Sequence, residues 1–340
     1  MRIKRDNQHQ AAGTAIRHFQ GNYRRLFMTF SKRIVFSSLV IFISAAAAAA
    51  QLKLPRPSQW ASVTQTVGVT DITVEYSRPL VKGRVIWGDA PKDAKGEATL
   101  DDQNKRPAGM AIVPYGHVWR TGANEATKFV VTDDVMVNGQ KLAAGSYSLH
   151  TIPGKDEWTI VFNGNANQWG SFGYDAAKDT LRIKAKPQMV ADNQEAMAFY
   201  FDPVTDNSAT VNIRWERVKV PFTVEVDVPK TTLAKAREAV AAAKADDWQT
   251  PFRAAGYANQ NGDKEDAEKW MMQAMTTVDA AIAAKPTFQN LVGKTNMLLA
   301  LGRKDEAFAL ADKAIAQGKT DKADTSGFEK RIADLRAGKQ

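Results

Sequence analysis

The sequence predicts a mainly β protein with an α-helical continuation: an antiparallel β-sandwich or jelly-roll-like domain followed by an array of α-helical hairpins. Two observations carry this. A period of two runs from about Ser58 to Val228, and after Pro229 it gives way to helical spacing with a high alanine content. A third observation, the basic and apolar character of the first fifty residues, sets that stretch apart as a leader. The expected organisation is a leader over 1–50, a β domain over 51–229 and a helical domain over 230–340.

The leader explains the charge. The chain of 340 residues has a formal net charge of +9, but beyond residue 50 it carries 38 basic and 36 acidic residues. A near-neutral remainder removes the basic footprint that a nucleic-acid binder would need. Within the leader, Lys32-Arg33 precede the apolar run Ile34 to Ile43, then Ser44 and six alanines up to Ala50. Charged start, short apolar core and small-residue end are the parts of an export signal, with Met28 the expected true start. Arg24-Arg25 weakly echo a twin-arginine signal. The predicted location is the periplasm or the medium, with membrane contact only through an uncleaved leader. The chain has no cysteine, so neither a disulfide nor a lipid-carrying cysteine is available to it.

Within the β stretch the clearest alternations are Val211/Ile213/Trp215, the even positions of Val220 to Val228, and Ile72/Val74/Tyr76, Trp158/Ile160/Phe162, Leu181/Ile183 and Met197/Phe199/Phe201. Asn138-Gly139 between Val135/Val137 and Leu142 is a hairpin turn. In the helical stretch Thr231 or Thr232 is the expected first cap, Thr250-Pro251 the second start, and Asp263 and Ser326 open further helices. Asn261 to Ala267 aligns with Leu301 to Ala307 at an offset of 40 residues, each followed seven positions later by alanine, Ala274 and Ala314. That spacing is similar to the tetratricopeptide repeat, whose own period is 34 residues.

Chemistry concentrates in three segments. Arg78, Lys82 and Arg84 surround Pro79 and Gly83 in a shaped turn, and arginine offers a planar fork of donors to an anion or a polyhydroxyl group. A solvated loop, or pairing with Glu75, Asp89 or Glu125, is the plain alternative. In the run Val113 to Thr127, Tyr115 and Trp119 supply flat apolar surface, Arg120 a donor fork and Asn124 a donor-acceptor pair, the mix of a small-molecule pocket. Here the alternative is a core Trp119 and a structural Arg120. In the third, Asn163 to Gly170, Trp169 is either a second lip of that pocket or the closure of one end of the domain. After the leader only His117 and His150 remain as histidines, too few for a zinc site without carboxylate help, so no metal and no cofactor is expected. Alternation places His150 with Ser148 on the wetter face of its strand.

Taken in order, Tyr76-Ser77-Arg78-Pro79, Lys82-Gly83-Arg84, the Val113 to Thr127 run, Ala144 to Leu149, Ile152-Pro153-Gly154, Trp158, Asn163, Gln168-Trp169-Gly170 and Asp179 resemble the bacterial domain-of-unknown-function family 2911 over about Pro57 to Pro221. The resemblance implies an exported β-sandwich, often with a helical tail, and no settled activity. His117 stands where that family often has lysine and His150 where it often has an aromatic, and Asp89 to Ala111 looks like an insertion. The favoured function is binding of a small anionic or polyhydroxyl, saccharide-like ligand by Arg78, Lys82, Arg84, Tyr115, Trp119, Arg120, Asn124 and Trp169, with the helical tail as a protein-interaction surface. Two alternatives are a saccharide or envelope hydrolase using Glu125 and His117, and an assembly protein that takes its partner through residues 230–340.

Overall fold

The protein is described by a computed structural model, which covers residues 54–339 apart from 93, 98 and 101–108. The expected leader lies outside the described residues. Among those described, no helix is long and apolar enough to cross a membrane.

Two antiparallel sheets build the β part. The first holds β1 (Gln59–Val67), β2 (Thr70–Arg78), β5 (Thr127–Val131), β8 (Gly145–Ile152), β9 (Trp158–Asn163) and β10 (Asp179–Ala185), side by side in that order. The second has the order β11 (Gln188–Val204), β12 (Ser208–Glu225), β6 (Val135–Val137) and β7 (Gln140–Leu142). Alternation decides which side of each strand is buried. Ile72, Val74, Phe129, Leu149, Ile160 and Phe162 from one sheet and Val211, Ile213, Val220, Phe222 and Val224 from the other form one core. Phe222 meets Phe129 and Phe162 at ring distances of 6.1 and 6.0 Å. Each such side chain contributes about 1.5–3 kcal/mol by leaving water.

The two alternating runs read as separate late strands are one strand, β12. It passes through Glu216 at a φ of 52°, beside a break in its register with β11. One residue in the left-handed region bends the strand without ending it. A short parallel pair, β3 (Trp87–Gly88) with β4 (Val113–Pro114), brings together the two ends of the Asp89 to Ala111 excursion. Beside it four indoles pack together: Trp119 stacks on Trp215 at 5.8 Å, and Trp87 lies edge-on to Trp119, Trp158 and Trp215 at 5.7, 5.1 and 5.7 Å.

Six helices follow: α1 (Val228–Ala241), α2 (Gln249–Gln260), α3 (Lys264–Ala284), α4 (Phe288–Ala300), α5 (Lys304–Thr320) and α6 (Ser326–Arg336). Two of the expected caps move. Asp227, not Thr231 or Thr232, accepts from the Lys230 amide, with Pro229 inside the first turn where its missing N–H costs nothing. Asp247, not Thr250, takes the amides of Gln249 and Thr250. Asp263 caps α3 through the Asp266 amide as expected. The aligned alanines, Ala267 with Ala307 and Ala274 with Ala314, are all buried, so the 40-residue offset marks two helical hairpins, α2–α3 and α4–α5.

The first helix is held to the strands by charge. Lys235 donates at 2.7 Å to both the Asp133 carboxylate and the Val69 carbonyl, and Thr70 and Thr132 donate to the same carboxylate. Burial by itself raises the Asp133 carboxyl, but the hydrogen bonds from Lys235, Thr70 and Thr132 outweigh it and hold it below its ordinary value. A depressed carboxylate stabilises the fold above the unfolded value and loses that contribution as pH falls through the folded one. Asp133→Asn should therefore cost about 1 kcal/mol at neutral pH, a figure reduced for the part-exposed lysine. The gap to the native protein should close on acidification below about pH 4, read as thermal midpoints across that range. A gap that stays constant would remove the Lys235 contact from the account.

Candidate functional site

Main-chain bonds bring together two of the three expected segments. Glu125 and Trp169 form an antiparallel bridge, the Ala126 amide donates to Gln168 O at 3.0 Å, and the Gly170 amide donates to Asn124 O at 3.0 Å. The turn between them starts and ends in the left-handed region, Thr121 at φ 53° and Asn124 at φ 59°. Asparagine tolerates this, but for a β-branched threonine it costs on the order of 1–3 kcal/mol. Thr121 is fixed there by bonds from its hydroxyl to Trp119 O and Thr151 Oγ1. Arg120 is buried, donates at 2.7 Å to Asn124 O, and lies 5.5 Å over the ring of Phe172. Asn124 in turn donates to Ser58 O at 3.1 Å. Trp169 and Phe172, 55% and 53% exposed, are the exposed aromatic residues of this segment, its rim, with exposed Glu125 bridged to Trp169.

Arg78, Lys82 and Arg84 lie apart from this rim in their contacts. Arg78 donates to Met197 O at 2.7 Å and to Ala196 O at 3.4 Å, tying β2 to β11. Arg84 closes its own turn on Val81 O at 3.1 Å and on Leu80 O. The Lys82 amide donates to Glu195 Oε1 at 2.8 Å, in a turn where Lys82 and Gly83 have φ of 47° and 65°. Both guanidinium groups thus bond main-chain carbonyls and hold the local fold together. Trp119 is 4% exposed and belongs to the four-indole cluster. Tyr115 is half-buried with Lys155 Nζ 5.9 Å over its ring, and its hydroxyl is pushed up by burial. His117 is buried.

His150 is a correction. Ser148 and His150 are both fully buried, not on a wet face. The segment after β9 folds back over the outer side of β8 and β9, where Ser148 Oγ lies 3.1 Å from His150 Nε2, Ser171 Oγ 3.3 Å from Nδ1, and Gln168 donates to Ser148 Oγ at 2.8 Å. Tyr174 and Arg182 both bond Asp179 Oδ2, and Asn163 bonds Asp179 Oδ1. Burial and the Asp179 carboxylate push the Tyr174 hydroxyl well above its ordinary range. Alternation reports two faces of a strand but not what lies over the second one. The described residues hold no cluster of three or more His, Cys, Asp or Glu able to bind a metal ion.

A second candidate, which sequence reasoning missed, lies between the starts of α2 and α4. A cleft of about 370 Å³ is lined by Trp248, Phe252, Phe288, Val292 and Gly293, with Gln249, Arg253, Gln289 and Asn296 around it. Trp248 is fixed by its indole N–H, which donates to Asn290 Oδ1 at 3.1 Å. The volume is at the lower end of the roughly 300–1,000 Å³ of small-ligand sites, room for one or two side chains. A signal was present: Trp248, Phe252, Phe288 and Val292 recur at helical spacing around two helix starts.

Residues 58–224 match the family described as Protein of unknown function (DUF2911). The match spans the whole of β1 through all but the last residue of β12. No curated protein and no solved structure matches the chain.

Proposed function

With residues 58–224 a DUF2911 domain and a helical region after it, we propose that the protein is an exported binding protein whose helical region takes a protein partner in the cleft between α2 and α4. The cleft is the observation that carries this reading. An apolar floor ringed by three primary amides and a guanidinium suits an extended peptide segment: the floor takes one bulky apolar side chain, Gln249, Gln289 and Asn296 match peptide groups, and Arg253 favours a nearby carboxylate. Val292→Glu puts a charge into the floor. Proteins retained on the native chain from an envelope extract, and absent from the Val292→Glu chain, are the expected result. An identical set on both chains would sink this reading.

The rim at Glu125, Trp169 and Phe172 supports a second reading, binding of a saccharide-like ligand by the β domain. Exposed aromatic rings stack on sugar faces, and the strained Thr121–Asn124 turn is the kind of backbone found at ligand sites. A ligand at ten times its Kd raises stability by about 1.4 kcal/mol, an increase of a few degrees in the unfolding midpoint. A saccharide that gives this shift to the native protein should lose it in Trp169→Ala. Turnover of that saccharide, abolished by Glu125→Gln, would make the same site a hydrolase. A shift that survives Trp169→Ala would move the ligand elsewhere.

A further inference from the structure

We infer that β1 is a dimerisation edge, which pairs antiparallel with β1 of a second copy of this chain. β1 ends the six-stranded sheet, so one side of it bonds β2 and no described strand pairs with the other. The pairing Val67↔Thr70 closes a two-residue turn with Gly68 at φ 60°, the arrangement in which the flanking residues exchange hydrogen bonds. Bonding to β2 therefore falls on the odd positions, and the N–H and C=O groups of Trp60, Ser62, Thr64 and Thr66 point away from the sheet. Exposed edges of this kind attract other strands unless lysine, proline or a covering segment blocks them.

Among the described residues the other edges are blocked and this one is not. β10 carries Arg182 and Lys184, and β7 has only three residues, one of them Lys141. The second side of β11 is covered by the Leu80↔Ala196 bridge and by bonds from Val81 N to Glu195 O and from Met197 N to Pro79 O. β1 reads Gln59-Trp60-Ala61-Ser62-Val63-Thr64-Gln65-Thr66-Val67, without a charge, a proline or a bulge.

Its sequence is also self-complementary about Val63. An antiparallel copy centred there sets Ser62 opposite Thr64 and Trp60 opposite Thr66, all with outward-pointing groups, and allows about eight main-chain hydrogen bonds. One of the acceptors, Thr66 O, already receives the Gln65 side chain at 2.9 Å and would have to exchange it. On the inner side, half-buried Ala61 and Val63, which already pack against the core, would meet Gln65 and Val63 of the copy. On the outer side the 62% exposed ring of Trp60 gains the second strand as a neighbour. Because no charge is present, a like strand meets no repulsion. A junction of one strand from each copy is small among stable interfaces, so the dimer should be concentration-dependent, with Kd near the micromolar range.

The chain has no cysteine, so a single introduced one reports its own contacts. In the proposed register Val63 faces its own copy as a non-bonded pair, with Cα atoms about 4.5 Å apart, within reach of a disulfide. Gln65 would be about 13 Å from its counterpart, beyond reach. Mild oxidation of Val63→Cys should give a cross-linked dimer at least about tenfold faster than Gln65→Cys. Sedimentation of the cysteine-free protein should show a dimer that Thr64→Pro weakens at least about tenfold, since proline removes an outward N–H at an edge position the fold tolerates. A protein that is monomeric to about 200 μM, well above the expected Kd, overturns the proposal and leaves the edge to a strand from another protein. So does equal cross-linking of the two cysteine variants, or a dimer that Thr64→Pro leaves intact.

Discussion

Trp158→Ala is expected to lower the unfolding free energy by about 3–5 kcal/mol, the largest single loss in the β domain. Trp158 is 2% exposed at the start of β9, opposite Ala185 of β10. Its ring lies 5.1 Å from Trp87 and 6.5 Å from Trp119, so its removal opens a cavity beside rings that come from two other parts of the chain. Neighbouring strands are fixed by their own ladders and cannot close that space, which places the cost toward the high end of the range. Aromatic pairs add about 0.5–1.5 kcal/mol each beyond area, and these are lost as well. The effect should reach the rim. Trp119 immediately precedes Arg120 and the left-handed Thr121, and its amide and carbonyl bond Thr151, so loosening the indole cluster loosens the turn that carries Asn124 and Glu125. Urea unfolding would measure the loss as a lower midpoint at an unchanged slope. A loss under about 1 kcal/mol would mean that the four rings do not act as one packed unit.

The same cluster marks how far the sequence could be read. Strand existence was legible wherever alternate residues enter the main core: Val211/Ile213/Trp215 and Trp158/Ile160/Phe162 alternate because that core takes every second side chain. The two helical hairpins were legible from their buried alanines, which repeat because two helices need small residues where they cross closely. What failed depends on residues distant in sequence. Arg78 reads as a ligand anchor until β11, more than a hundred residues later, delivers the Met197 and Ala196 carbonyls to it. His150 reads as wet until Gln168, Ser171 and Tyr174 fold over it. Caps misplaced by a few residues have a simpler cause, since Asp227 and Asp247 compete with the nearby threonines and carboxylates accept amide hydrogens better. The cleft escaped notice because each lining residue, taken alone, is an ordinary core residue of an amphipathic helix.

Gly293→Ala separates the cleft from the fold that carries it. A methyl at position 293 would come within 2.2 Å of the Trp248 ring, so the indole must leave its place. In an exposed helix interior alanine would gain about 1 kcal/mol over glycine. Here that gain is outweighed by lost packing of Trp248 against the cluster of Ala274, Val278 and Met297, and by the loss of its bond to Asn290. Overfilling of this kind costs about 1–3 kcal/mol, so the midpoint should fall while helical circular dichroism is retained. The β domain should keep its own properties, including any ligand shift that depends on Trp169. Capture of the cleft partner should fall at least about tenfold, because the variant removes the wall against which an apolar side chain would lodge, a loss of at least about 1.4 kcal/mol in binding. Val292→Glu reaches the same endpoint by charge in place of shape. Agreement between the two variants would locate the partner in the cleft, and undiminished capture in both, with helices intact, would exclude the cleft as the place where this protein holds its partner.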